Sequence, residues 1–262
     1  MSYNQKKFLK QEKINKFKIL FFQILLVITF LGIWEILVNT EIISAFIYSS
    51  PSRIIKTIIS LIQNNNFFIH IYTTLIEVLI SFILGITLGF IIAIILYEFK
   101  TLAKIFDPFL TMLNSLPKVA LGPLIIIGCG ANTKSIILMA LLINLIISII
   151  TIYNGFISTD EYKIKLLKSM KATKTQILTK LVIPHSYQTI ITSLKLNISL
   201  TLIGVIMGEF LVSKQGIGYL IVYGKQVFNL NLVMTGIVLL IIISYILYKL
   251  IIILENKLLK HL

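Results

Sequence analysis

IYTTLIEVLISFILGITLGFIIAIILY, residues Ile71 to Tyr97, is the stretch that decides how this chain folds. It carries one charged residue, Glu77, in an otherwise mostly apolar run. About 20 such residues in a helix cross the roughly 30 Å of hydrocarbon in a bilayer. Five further runs are long enough to do the same: Ile19–Val38, Phe109–Gly128, Ile136–Phe156, Tyr187–Val212 and Leu232–Leu254. Of 262 residues, 57% are hydrophobic and 13% charged, with a mean hydropathy of +0.97, whereas soluble domains are about 45–50% apolar. The sequence therefore predicts an all-α integral membrane protein with about six transmembrane helices and lipid as its main solvent.

The third run is interrupted by Pro117, Lys118, Gly122 and Pro123. Broken helices are tolerated in a membrane where protein or water satisfies the freed backbone, so this run is expected to face the protein interior. The first run follows Lys6, Lys7, Lys10, Lys13, Lys16 and Lys18, as a signal peptide would. At about 20 residues it exceeds a signal sequence's apolar region, and it lacks a small-x-small cleavage site, so it is expected to be a retained span. The net charge of +14 does not point to nucleic acid, because the lysines gather between apolar runs with no aromatic-interleaved basic surface. Cys129, the only cysteine, can form no intrachain disulfide.

Charge bias gives the orientation. Lysines crowd the N-terminal tail, then Lys100 and Lys104 follow the second run. Lys163, Lys165, Lys168, Lys171, Lys174 and Lys180 follow the fourth, and Lys257 and Lys260 close the chain. The alternate connections hold only Arg53, Lys56, Lys134, Lys214 and Lys225. The positive-inside rule then places both termini and the loop at about 158–185 in the cytoplasm, with the protein multi-pass in the cell membrane. Residues 1–18 are a cytoplasmic basic tail and 19–262 a single transmembrane domain. The long outer connection carries Ser50-Pro51-Ser52-Arg53, in which Ser50 can cap a helix started by Pro51. Ile54, Ile55, Ile58, Ile59 and Ile62 recur at helical spacing after it, as in an amphipathic helix on the outer interface or a packed core helix.

The cytoplasmic segment between runs four and five holds two capping boxes: Ser158 with Glu161, and Thr173 with Gln176. Leu167 and Met170 in the first helix, then Ile177, Leu178 and Leu181 in the second, supply apolar faces opposite lysines. The pattern predicts a helix pair presented to the cytoplasm. By pattern alone it serves equally as a membrane-surface anchor, a structural lid or a docking element.

Lys165 to Pro184 reads KLLKSMKATKTQILTKLVIP. It resembles the loop of ABC importer permeases that begins Glu-Ala-Ala, continues to a Gly and ends in Leu-Pro. Ala172, Thr173, Gln176 and Pro184 agree with that pattern, whereas Lys165, Leu166 and Leu167 replace the opening triplet and Lys171 stands at the Gly. If the turn needs a left-handed residue there, a side chain costs about 1–2 kcal/mol. Ser50-Pro51-Ser52-Arg53, NSLPKVALGPL from Asn114 to Leu124, and LIGVIMGEFLVSKQGIGYLI from Leu202 to Ile221 resemble the nitrate, sulfonate and taurine branch of these permeases. Asn132 stands near another family Gly, and Asn tolerates left-handed backbone better than most residues.

The resemblance implies a type I ABC importer permease fold with a cytoplasmic coupling helix pair. It also implies three protein partners: a cytoplasmic ATPase dimer, a second permease copy in a homodimer, and an extracytoplasmic solute-binding protein. Leu167, Met170, Lys171, Ala172 and Thr173 would then meet the ATPase. The chain itself would be no enzyme and need no cofactor, ATP being hydrolysed in the partner. Its nearest approach to a phosphate-binding loop, Gly128 to Ser135, has Thr133 where G-x-x-x-x-G-K-[ST] needs its second Gly, and lacks the strand–loop–helix context. The transported solute would be a small one such as nitrate, a sulfonate, taurine or a vitamin precursor.

Charges inside spans cost about 2.5–3.5 kcal/mol each at the bilayer centre and need partners. Glu77, Lys118, Lys195 and Glu209 are such residues. Lys118, Lys195 and Glu209 are candidates for the translocation pathway, where a cation could guide an anionic solute; the other reading is interhelical ion pairing or snorkelling. Lys195 and Glu209 are 14 residues apart in one run, about 21 Å along a helix, and cannot pair with each other. Glu35 beside Trp34 reads as an interfacial anchor. His70, His185 and His261 read as loop or tail residues, and no cluster has metal-ligand or nucleophile–base spacing. The alternative is an ion-coupled secondary transporter or channel, which would be expected to show inverted repeats or charged relays. A membrane-embedded enzyme would need convergent catalytic residues.

Overall fold

The computed structural model describes residues 3–64 and 66–259; Lys260 and His261 lie outside the described residues. In lipid, backbone N–H and C=O groups must be satisfied within the protein, and among the described residues the chain answers with helices alone. They are α1 (Tyr3–Asn39), α2 (Ala45–Tyr48), α3 (Pro51–Gln63), α4 (Phe67–Glu98), α5 (Lys100–Ser115), α6 (Gly122–Cys129) and α7 (Thr133–Ile157). After these come α8 (Glu161–Ser169), α9 (Lys174–Ile177), α10 (Ile183–His185), α11 (Tyr187–Val212), α12 (Ile217–Gln226) and α13 (Leu230–Leu259). Five stretches are long and apolar enough to span: Phe17–Asn39, Phe67–Glu98, Thr133–Ile157, Tyr187–Val212 and Leu230–Lys257.

A pair of helical segments, Lys100–Ser115 and Lys118–Cys129, is bent by 88°, and makes a sixth span if the two count as one, a re-entrant loop otherwise. Pro117 lacks an N–H and forces Leu116 into extended backbone (φ −66°, ψ 132°), which ends α5. A 3-10 turn over Lys118–Leu121 then restarts the chain into α6. The interruption of the Phe109–Gly128 run at Pro117 is thus a corner between two helices, and the bounds of the segment move to Lys100–Cys129. This segment does not face the interior of the single chain: Phe109, Met112, Leu113, Val119, Leu124 and Ile127 are all exposed, and within α5 and α6 only Ala103 and Gly122 are buried.

The core is a three-helix block of α4, α7 and α11, with α12 and α13 packed beside it. Small residues allow the close approach, since lipid gives helices no hydrophobic reason to associate and van der Waals contact must do it. Gly85 faces Asn144, Gly89 faces Ser148, Gly204 faces Ala140 and Gly208 faces Ile136. Asn144 Nδ2 donates to Ser81 O at 3.0 Å and to Thr201 Oγ1 at 2.7 Å, so one buried amide joins all three helices.

Around this block the attachment is looser. The spanning part of α1 is almost wholly exposed and reaches the rest through α2 and α3. Glu35 makes that link: its carboxylate accepts from Ser52 N at 3.0 Å and Ser52 Oγ at 2.8 Å, at the start of α3. An anion at a helix N-terminus is favoured by the unsatisfied N–H groups and the helix dipole there. Glu35 thus holds α3 as well as standing beside Trp34. Ser50 Oγ accepts from Arg53 N at 3.4 Å with Pro51 opening α3, as the sequence indicates. Ile54 is buried while Ile55, Ile59 and Ile62 are exposed, so α3 packs along one edge and turns its other apolar edge outward. Asn132 is extended, not left-handed (φ −152°): it caps α7 by accepting from Lys134 N at 2.9 Å, and Gly130 (φ 82°) takes the left-handed position.

Candidate functional site

The helix pair α8–α9 leaves the block between spans α7 and α11. Asp160, not Ser158, caps α8, accepting from Tyr162 N at 2.8 Å. Ser158 instead closes α7, its Oγ donating to Gly155 O at 2.7 Å. The Ser158–Glu161 box is thus replaced by an aspartate cap two residues on. The second box forms as the sequence indicates: Gln176 N donates to Thr173 Oγ1 at 3.3 Å and Thr173 N to Gln176 Oε1 at 2.8 Å.

Between the two helices, Lys171 N donates to Lys168 O at 2.9 Å and Ala172 N to Leu167 O at 3.0 Å. This is the Schellman arrangement, whose first residue past the cap is usually a left-handed glycine. Here that residue is Lys171, at φ 59°. Leu167 and Ala172 pack against a buried cluster of Ile152, Phe156, Ile177, Leu178 and Val182. Met170, placed with Leu167 on the apolar face by the sequence, is instead 71% exposed at the tip, next to exposed Lys171 and Thr173. Exposed Tyr162 and Leu166, one turn apart on α8, belong to the same outer surface; their i, i+4 spacing was the available signal. After α9 the chain passes through a π-helical turn, Leu178–Val182, and α10 before α11 begins. Ser186 Oγ at that junction donates to Gly155 O at 2.7 Å, tying α11's start to α7.

A second constellation joins α4, α11 and α12. Buried Glu209 accepts from Thr74 Oγ1 at 2.6 Å and from Gly218 N at 2.5 Å, while Ile217 N donates to Thr74 Oγ1 at 2.9 Å. Gly216 is left-handed (φ 109°) and presses on the Glu209 carboxylate, so both backbone and space demand glycine there. His70 is not a solvated loop residue: it lies buried in α4, its Nδ1 accepts from Gly216 N at 3.0 Å, and its ring stacks on Tyr219 with centroids 5.7 Å apart. Glu77 is buried directly against the Glu209 carboxyl group.

The three pathway candidates are not brought together. Lys118 Nζ, in the bent segment, donates to Asn114 O at 3.0 Å. Lys195 pairs with Glu255 of α13 at 2.6 Å. Glu209 sits in the helix contact just described. His185 is exposed at the end of α10.

Together these features define a class: a polytopic helical membrane protein with a packed three-helix block, a cornered span and a projecting helix pair. The model of the binding-protein-dependent transport system inner membrane component family matches residues 85–260, more than half of the chain, and the chain belongs to that family. It is a permease of the ABC importer type. It is 27% identical over 237 residues to SsuC of Bacillus subtilis (strain 168), a permease named for aliphatic sulfonates transport, covering 90% of this chain and 86% of that one. It is 28% identical over 200 residues to the formylaminopyrimidine transport permease protein ThiX of Halalkalibacterium halodurans, covering 76% and 77%. To the taurine transport system permease protein TauC of Escherichia coli (strain K12) it is 20% identical over 222 residues, covering 83% and 81%. Its fold matches that of the inward-facing MetNI methionine ABC transporter at a TM-score of 0.62, with 17% identity over 72% of this chain and 94% of that one.

Proposed function

We propose that this chain forms half of the translocation pathway of an ATP-driven importer for a small solute, taking the motion of a cytoplasmic ATPase through the turn between α8 and α9. The observation that carries this is the division of that turn. Met170, Lys171 and Thr173 are presented outward, while Leu167 and Ala172 are seated on the spans through Phe156. A push on the tip therefore reaches the membrane through packed side chains. In the same reading both termini are cytoplasmic, the side that the lysine bias favours, and a second copy of the chain covers the exposed faces of α5 and α6. A secreted binding protein selects the solute, and the relatives named for sulfonates, taurine and formylaminopyrimidine mark the range of small solutes to try. Lys118 is the pathway residue we assign, since Lys195 is held by Glu255 and Glu209 by Thr74 and Gly218. ATP is hydrolysed in the partner, and no cofactor is assigned to this chain.

The test is Met170→Glu in the complex assembled with its ATPase and binding protein. Substrate-stimulated ATP hydrolysis should fall at least tenfold while the assembled complex still forms. Normal stimulation in a normally assembled complex would refute the assignment of the tip.

A further inference from the structure

Spans α4 and α7 end at Glu98 and Ile157, and there, together with α8 and α9, they border a cavity of about 480 Å³. Its floor is apolar, formed by Tyr97, Phe156, Ile164 and Ile177. Four lysines stand around it: Lys100, Lys165, Lys168 and Lys174. The opposing carboxylates are Glu98 and Glu161, and Glu161 is engaged by Lys165 at 3.8 Å. Four ammonium groups against two carboxylates leave the cavity cationic. Thr159 lines it as well; it is 4% exposed and its Oγ1 has no hydrogen-bond partner.

Position supplies the rest. A cavity bordered by the ends of two apolar spans lies where hydrocarbon gives way to headgroups. An apolar floor beneath a cationic rim at that depth suits a ligand with an anionic head and an apolar body, and basic pockets at the cytoplasmic ends of spans hold anionic headgroups in this way. A small free anion would use the rim and leave the floor uncovered.

We propose that this cavity binds an anionic phospholipid, its phosphate among Lys100, Lys168 and Lys174, its ester oxygens within reach of the Thr159 hydroxyl, and its glycerol and first methylenes on Tyr97 and Phe156. Only the name of the leaflet, cytoplasmic, rests on the orientation proposed above; the chemistry of the cavity does not. Because α8 and α9 form one wall, the lipid would steady the helix pair against the spans.

The test uses the full-length chain purified in detergent, without the ATPase, so that its failure is separate from any failure of coupling. Retention of phosphatidylglycerol and of phosphatidylcholine with identical acyl chains is measured by native mass spectrometry. Inorganic phosphate and glycerol 3-phosphate are then added as competitors. Phosphatidylglycerol should be retained at least fivefold better than phosphatidylcholine. The double substitution Lys168→Gln/Lys174→Gln should abolish that preference, Thr159→Val should weaken it, and Lys56→Gln/Lys134→Gln should leave it intact. Equal retention of the two lipids, or an unchanged preference in Lys168→Gln/Lys174→Gln, would overturn the proposal. So would full displacement by millimolar inorganic phosphate, which would make the ligand a free anion. All four lysines changed here are exposed, and an unchanged melting temperature in phosphatidylcholine verifies that the variants fold.

Discussion

Replacing Lys171 by glycine should tighten the turn between α8 and α9. Lys171 sits at φ 59° and closes a Schellman turn through its own N–H to Lys168 O and that of Ala172 to Leu167 O. A side chain in the left-handed region costs about 1–2 kcal/mol. Glycine removes that strain but brings about 0.5–1 kcal/mol of extra backbone entropy to lose on folding. The difference, about 0.5–1 kcal/mol in favour of glycine, corresponds to about a two- to fivefold rise in hydrogen-exchange protection of the Lys171 and Ala172 amides, whose opening is local. Lys171→Ala separates backbone from charge: it keeps the Cβ and so the strain, and its protection should match the parent chain. Hydrogen exchange with mass-spectrometric readout, on the full chain in detergent, measures all three. Equal gains in Lys171→Gly and Lys171→Ala would trace the effect to lysine repulsion and refute the strain account, as would faster exchange in Lys171→Gly.

Two further predictions concern the block. Glu209→Ala leaves the Thr74 hydroxyl and the Gly218 N–H buried without their acceptor, at about 1–3 kcal/mol each. Glu77→Ala orphans no backbone N–H and removes one of two carboxyl groups buried against each other, so thermal unfolding in detergent should show a markedly lower midpoint for Glu209→Ala than for Glu77→Ala, and the reverse order would refute the reading. Gly89→Ala would place a methyl group against the Ser148 Cβ, which cannot turn away. It should cost about 1–3 kcal/mol by overpacking, whereas Gly128→Ala, with nothing within 4 Å, should leave the midpoint unchanged.

What was legible in the sequence is what depends on local pattern. The apolar runs gave the spans, Ser50-Pro51 gave the start of α3, and Thr173 with Gln176 gave the start of α9. Lys171 was legible as a strained position because a side chain stands where the family turn has glycine. What was hidden depends on contacts far apart in the chain. His70 looks like a loop residue until Gly216, 146 positions away, donates to it. The cap of α8 was misplaced because Ser158 and Asp160 both suit a cap, and only the end of α7 decides between them. Pro117 signalled a break, yet the 88° corner and the exposure of both its arms depend on how little of α5 and α6 the chain itself covers.

The two constellations divide the molecule mechanically. At one end of α11, Ser186 is hydrogen-bonded to Gly155 of α7, and Ile177, Leu178 and Val182 lie in one cluster with Ala93 of α4 and Phe156 of α7. Toward the other end, Glu209 holds Thr74 of α4 and the start of α12, with Asn144 bridging all three helices between. Buried hydrogen bonds of this kind have one good geometry, and glycine contacts such as Gly204 on Ala140 leave no slack for sliding. A force arriving at Met170 and Lys171 would therefore move α4, α7 and α11 as one body and would not bend α11 alone. The parts free to shift against that body are those with few attachments, α1 and the cornered α5–α6 segment. On the proposed function, opening and closing of the pathway is then expected at the α5–α6 corner, beside Lys118, with the interior of the block unchanged.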